Sequence, residues 1–290
     1  MPRDIPESVS ARRAWFWVAA AAVIISSGFA QAAEPSPPAA SGPVARKAFP
    51  PAAAEKLKSS DPDRIREGLE DARLAGKNAA SLAAEITALL DRGLNTPLAE
   101  AALQALGELE IQATNPSIAP YLSHRDPKVR IATANALSRT KGAAAVASLR
   151  RALSDSDAGV RSAAASGLGL LRARDAFGDL VIALDHRVAS AAAPIGQLCS
   201  VDECNDFLGR IGRLPFDLMA SGLDALLFRP MSEVSEDTKA NVIGRVRELK
   251  TNEVHEFLES LQKRWPLGAS PRLRALIDQA VKATIPASGP

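Results

Sequence analysis

Pairs of apolar residues four positions apart recur along the chain at a nearly constant interval. The pairs are Ile86 and Leu90, Ile118 and Leu122, Leu149 and Leu153, and Leu180 and Leu184. Leu122, Leu153 and Leu184 follow one another at steps of 31 residues, and Leu90 lies 32 before Leu122. Residues at i and i+4 share one face of an α-helix. The spacing therefore predicts four helices that end alike, each the second helix of a hairpin. No segment sustains a two-residue alternation of apolar and polar positions, which argues against a sheet.

The preceding helices repeat as well. Asp126-Pro127-Lys128-Val129-Arg130 leads into Ile131 with Ala134, Ala136 and Leu137, and Asp157-Ala158-Gly159-Val160-Arg161 leads into Ala163, Ala164, Ala165, Leu168 and Gly169. Thr96-Pro97-Leu98 and, more loosely, Asp61-Pro62-Asp63 fit the same frame. An Asp or Thr ahead of a helix caps its free amide groups, and Pro in the first turn loses no hydrogen bond.

The pattern Asp-x-x-Val-Arg-x-x-Ala-Ala-x-Ala-Leu-Gly, repeated near thirty residues, resembles the HEAT-repeat family, in particular its short bilin-lyase-like class. Asp157 to Gly169 follows it with Gly167 for one Ala, and Asp126 to Leu137 follows it with Thr133 for Ala. The resemblance implies an all-α solenoid of stacked helical hairpins, about six of them, in which each hairpin covers the apolar face of the next. The regular repeats are expected over 56–187. The recurrent Asp126, Arg130, Asp157 and Arg161 are then expected to form a ladder, with each Arg reaching acidic or carbonyl groups at a neighbouring turn. The resemblance also implies that second helices line the concave face, where Arg150 and Arg151 fall.

After 188 the period shortens. A short helix with Pro194 is followed by an apolar stretch ending before Pro230, then by the faces Val242/Val246/Leu249, Val254/Leu258/Leu261/Trp265 and Leu273/Leu276/Ile277/Ala280. These read as irregular repeats and a C-terminal cap over 188–284, with a short tail at 285–290. A separate C-terminal domain is the rival reading.

The N-terminus carries a different pattern. Arg12 and Arg13 precede an apolar run over 14–29, and Ala30-Gln31-Ala32 is a small-x-small cleavage box. Together they read as a secretory signal peptide over 1–32. The run is short for a spanning helix, so no stable membrane insertion is expected after cleavage; an uncleaved anchor is the alternative. Residues 33–55 hold six Pro among Ala, Ser and Gly and read as a disordered tether. Localisation is therefore expected in the periplasm or cell envelope.

Composition sharpens this picture. Aromatic residues make up 4% of the chain, so core bulk must come from Leu, Ile, Val and Ala, and small side chains favour close helix stacking. Cys199 and Cys204 are the only cysteines, and export favours a disulfide between them. Ser200 and Glu203 form a capping box, which makes Ser200 the N-cap. Cys199 and Cys204 then fall at the two positions that normally touch as a hydrophobic staple, where a disulfide can replace the apolar contact.

Net charge is only +2, so the chain lacks the global field of a nucleic-acid binder, and stacking aromatics are scarce. Charge is uneven along the repeats: five Lys/Arg against ten Asp/Glu over 60–112, but eleven against six over 122–187. Arg130, Arg139, Lys141, Arg150, Arg151, Arg161, Arg172 and Arg174 recur at related positions, which suggests a basic strip for an acidic partner. The three His, at 124, 186 and 255, form no metal-ligand cluster, and no phosphate loop or nucleophile motif is present, so no cofactor and no catalytic residue is expected. The expectation is an exported scaffold that holds a protein partner, with Arg150 and Arg151 as candidate contacts. The alternatives are an enzyme of the bilin-lyase or metal-dependent hydroxylase type, which relatives with this repeat exemplify, and a purely structural envelope spacer.

Overall fold

The fifteen α-helices of the computed structural model, which describes residues 51–285, are linked by short turns and 3-10 segments. They are α1 (Pro51–Leu57), α2 (Pro62–Ala75), α3 (Ala83–Asp91), α4 (Thr96–Leu109), α5 (Asn115–Ile118), α6 (Pro127–Thr140), α7 (Ala143–Ala152), α8 (Ala158–Leu170), α9 (Phe177–Asp185), α10 (Ala192–Leu198), α11 (Val201–Leu208), α12 (Phe216–Leu227), α13 (Glu236–Glu248), α14 (Asn252–Arg264) and α15 (Pro271–Ala283). Among the described residues there is no β-strand, only an isolated bridge between Ile211 and Leu214. The segment read as a signal peptide over 1–32 and that read as a tether up to residue 50 lie outside the described residues. The tether does not run to 55: α1 begins at Pro51, because Ala53 and Leu57 bury themselves against α2.

The chain is an α-solenoid of hairpins. Helices α2, α4, α6, α8, α10 and α12 form one layer, each packed on the next, and α3, α5 and α7 pack in turn in the other. The four apolar pairs predicted from sequence fall in second helices or the turns that end them. Of these residues all are buried except Leu122, which is half-buried on the 3-10 segment Ala119–Ser123 that extends α5. Pro120 lacks the N–H that a continuing α-helix would use there.

The caps explain where first helices start. Asp126 accepts the Lys128 N–H at 2.9 Å, Asp157 the Val160 N–H at 3.1 Å and Asp61 the Asp63 N–H at 3.0 Å. For α4 the cap is Asn95, which accepts the Leu98 N–H at 3.1 Å, and Thr96 is already inside the helix. The ends repeat too: the residues at 110, 141 and 172, just past α4, α6 and α8, have φ of 53°, 63° and 49°. This backbone reversal at a 31-residue step sends the chain back along its own helix.

The first layer packs far more tightly than the second, and small residues are the cause. A methyl group on Gly107 would lie 3.1 Å from the Ala136 Cα, and one on Gly196 only 2.0 Å from the Gly222 carbonyl oxygen. Beyond α12 the tight contact passes to α13 and α15, and Leu273, Ile277 and Ala280 of α15 are buried where the stack ends. Pro194 is the third residue of α10, in the first turn after the 3-10 segment Ala189–Ala191, and packs against Gly169.

Cys199 and Cys204 are joined, with Cα atoms 5.1 Å apart, at the start of α11. Glu203 accepts hydrogen bonds from the Ser200 N–H and hydroxyl, both at 2.8 Å. Arg229, past the end of α12, donates to the Cys199 carbonyl at 2.8 Å, so the bridged turn is also tied to the following hairpin.

Candidate binding cleft at the hairpin turns

The ladder is built from the turn that follows each second helix. The Arg130 guanidinium is held at one end by carbonyls of its own turn, with Nη1 donating to His124 O at 2.9 Å and Arg125 O at 3.3 Å. Its other edge crosses to the next turn, where Nε and Nη2 donate to the two oxygens of Asp155 at 2.9 and 2.8 Å. Both side chains are nearly buried, 12% and 13% exposed. Burial pushes the Asp155 carboxyl up, but hydrogen bonds from Arg130 and the Asp157 N–H, with the charges of Arg130 and Arg161, outweigh it and hold Asp155 below the usual carboxylate value. The hydrogen bond to Asp155 in turn raises Arg130.

Asp126 and Asp157, the acids singled out by the motif, are not the acids that the arginines grip. They cap helices, and the gripped carboxylate is Asp155, two residues ahead of the cap. The signal for it was positional: Asp155 stands 31 residues after His124 and 31 before His186.

Arg161 repeats the first half of this arrangement. Its Nη1 donates to Asp155 O at 2.8 Å and Ser156 O at 2.9 Å, the same two carbonyls one repeat on. The second half is missing. Among the described residues, neither Nε nor Nη2 of Arg161 has a hydrogen-bond partner, and the residue in the position equivalent to Asp155 is His186. Nearby acids are engaged elsewhere: Asp179 accepts from Arg150 Nε at 2.6 Å, and Asp185 accepts from Arg210 Nε and Nη2 at 2.9 and 3.0 Å. The Arg210 hydrogen bond is the main cause that holds Asp185 below the usual carboxylate value.

Arg150, Arg161, Asp179 and His186 line one cleft of about 520 Å³ between α7, α8 and α9. Ile182, 58% exposed, adds an apolar wall. Arg151 does not join them. It lines the neighbouring cleft with Leu122, Ser148 and Asp155, and donates to the Ser148 hydroxyl at 3.3 Å.

The basic strip seen in the sequence is largely consumed by repeat-to-repeat pairing. Arg130 meets Asp155, Arg139 meets Glu108 at 2.8 Å, Lys141 meets Glu110 at 3.7 Å, Arg150 meets Asp179, and Arg174 meets Glu203. Of the eight cations named, Arg151, Arg161 and Arg172 have no carboxylate partner among the described residues. Sequence reasoning missed these acids because three of the five, Glu108, Glu110 and Glu203, lie outside the stretch where the positive excess was counted.

Among the described residues no three His, Cys, Asp or Glu side chains come together to hold a metal ion. His124 Nδ1 accepts the Asp126 N–H at 3.0 Å, and His255 sits remote from the turns, against Thr284 at 3.1 Å. No helix among the described residues is long and apolar enough to cross a membrane.

Residues 83–193 match the family of HEAT repeats. No curated protein matches the chain in sequence. Among solved structures, the chain is similar to the complex of CpcE and CpcF of phycocyanin lyase from Nostoc sp. PCC7120, with a TM-score of 0.46 and 20% identity, covering 87% of this chain and 100% of that one. It is similar to a homology model of the full-length AP-3 complex in an intermediate open conformation, with a TM-score of 0.52 and 14% identity, covering 80% of this chain and 50% of that one. A designed armadillo repeat protein in complex with the peptide (KR)4 is similar with a TM-score of 0.37 and 13% identity, covering 81% of this chain and 99% of that one. At these identities the likeness is one of fold.

Proposed function

We propose that this chain, whose residues 83–193 are HEAT repeats, is an exported scaffold that binds another protein in the periplasm or cell envelope. The observation that carries the reading is the cleft between α7, α8 and α9, at the turns that follow α7 and α9. There Arg161, anchored by backbone carbonyls and without a carboxylate partner among the described residues, stands beside an exposed Ile182. Charge with an adjacent apolar wall is what a protein ligand uses, since the charge sets register and the apolar contact supplies affinity. Export rests on the basic, apolar and cleavage-box segments of residues 1–32, and the disulfide fits an oxidising compartment. Binding rather than catalysis fits a surface that holds its charged groups in fixed ion pairs.

Crosslinking in intact cells that express the full chain, followed by mass spectrometry, tests both halves. The reading expects a chain that begins at residue 33 in the envelope fraction, crosslinked to a defined protein. It expects that crosslink to weaken with salt and in an Arg150→Glu/Arg151→Glu variant. An intact leader on a cytoplasmic chain would contradict export, and a chain that crosslinks to no protein would contradict the scaffold role.

A further inference from the structure

We propose that Arg161 is a receptor for a carboxylate side chain, an Asp or Glu on an acidic segment of the bound protein, in the slot that Asp155 fills for Arg130. The inference rests on the protein-binding reading and adds the ligand chemistry to it.

The slot is already built. At Arg130 two carbonyls fix Nη1, and the free edge of the guanidinium then meets Asp155 through Nε and Nη2. At Arg161 the equivalent carbonyls, Asp155 O and Ser156 O, fix Nη1 at 2.8 and 2.9 Å. The same anchoring presents the same edge toward the next turn, where the chain supplies His186 in place of an acid. A guanidinium already held in one orientation loses little freedom when it binds, and its parallel N–H pair matches the two oxygens of a carboxylate.

Among the described residues, the nearby acids Asp179 and Asp185 do not close the slot. Asp179 is held by Arg150 and Asp185 by Arg210 through two bonds. These same pairs select the ligand. Asp179 and Arg150 offset each other, so Arg161 is the one arginine of the cleft lining without a carboxylate partner among the described residues, and its single charge matches one carboxylate rather than a dianionic phosphate. Ile182 lies alongside and offers an apolar surface, so an acidic residue next to an aliphatic one is the best match.

The test uses the full mature chain and a fluorescein-labelled six-residue peptide of alternating Glu and Leu, with a Gln/Leu peptide as the neutral control. Fluorescence anisotropy should show binding of the Glu peptide, at least tenfold weaker binding of the Gln peptide, and at least a tenfold loss in Arg161→Gln. His186→Asp is the second variant, because it should supply the missing acid from within. It should likewise lose at least tenfold in peptide affinity while unfolding at a higher denaturant concentration than wild type. Equal binding to wild type and Arg161→Gln, no binding up to millimolar peptide, or displacement by inorganic phosphate as effective as by glutarate would each overturn the proposal. If the peptide fails in this way but a protein partner is captured in cells, the scaffold reading stands without the carboxylate slot. Arg161-dependent peptide binding without any cellular partner would keep the slot and remove the scaffold role.

Discussion

Arg130 grips Asp155 through two hydrogen bonds, Nε to Oδ2 at 2.9 Å and Nη2 to Oδ1 at 2.8 Å, tying the first turn of α6 to the turn that follows α7. The two residues are 25 apart in sequence, so the pair exists only when α7 is folded back along α6 and brings the turn after it beside the start of α6. Asp155→Asn removes the charge and one acceptor while Arg130 stays nearly buried. The expected loss is about 1.5–3 kcal/mol, the range for a hydrogen bond to a charged group, read as a lower urea midpoint.

The same pair gives a pH dependence with a definite sign. Asp155 is held below its ordinary value in the folded chain, so the unfolded chain binds its proton more readily. The stability it contributes is present above the ordinary carboxylate pKa of about 4 and is lost as pH falls through the depressed value. Urea midpoints measured from pH 7 down to pH 3 should therefore converge for wild type and Asp155→Asn at the acid end.

Gly196 and Gly222 set the spacing of α10 and α12. Gly196→Ala would place a Cβ 2.0 Å from the Gly222 carbonyl oxygen, and Gly222→Ala one 2.5 Å from the Ala192 carbonyl oxygen. Backbone has to move in either case, at an expected cost of about 2 kcal/mol or more. Gly244, inside α13, has nothing within 4 Å of its would-be Cβ, so Gly244→Ala should stabilise by about 0.5–1 kcal/mol. Thermal melts of the three variants should move in opposite directions.

The Cys199–Cys204 bond closes a short loop at the start of α11. Chain entropy gives it about 2 kcal/mol, and Arg229 holds the same turn independently. Reduction should therefore lower the melting temperature without unfolding the chain at room temperature. Circular dichroism with and without dithiothreitol checks this.

Much of the fold was legible because a solenoid writes its core into a fixed step. Leu149, Leu153, Leu180 and Leu184 are buried, and Asp126 and Asp157 cap helices as their position before Pro127 and Ala158 requires. The site was less legible because it depends on which residue stands beside an Arg one hairpin away. The motif sets Asp126 and Asp157 in register with the arginines, but each caps its own helix, and the carboxylate that Arg130 grips is Asp155. Arg150 and Arg151 are adjacent in sequence, yet α7 turns each to a different cleft. The start of α1 was hidden by the prolines that precede it, since burial of Ala53 and Leu57 is a tertiary event.

Double-mutant cycles in urea compare the filled rung with the open one. The pair Arg130→Gln and Asp155→Asn should show a coupling of about 1 kcal/mol or more. His186→Asp should stabilise the chain when residue 161 is Arg and lose that gain in an Arg161→Gln background. If Asp at 186 changes stability equally in both backgrounds, Arg161 does not face an empty place in the ladder, and the account of the cleft is wrong.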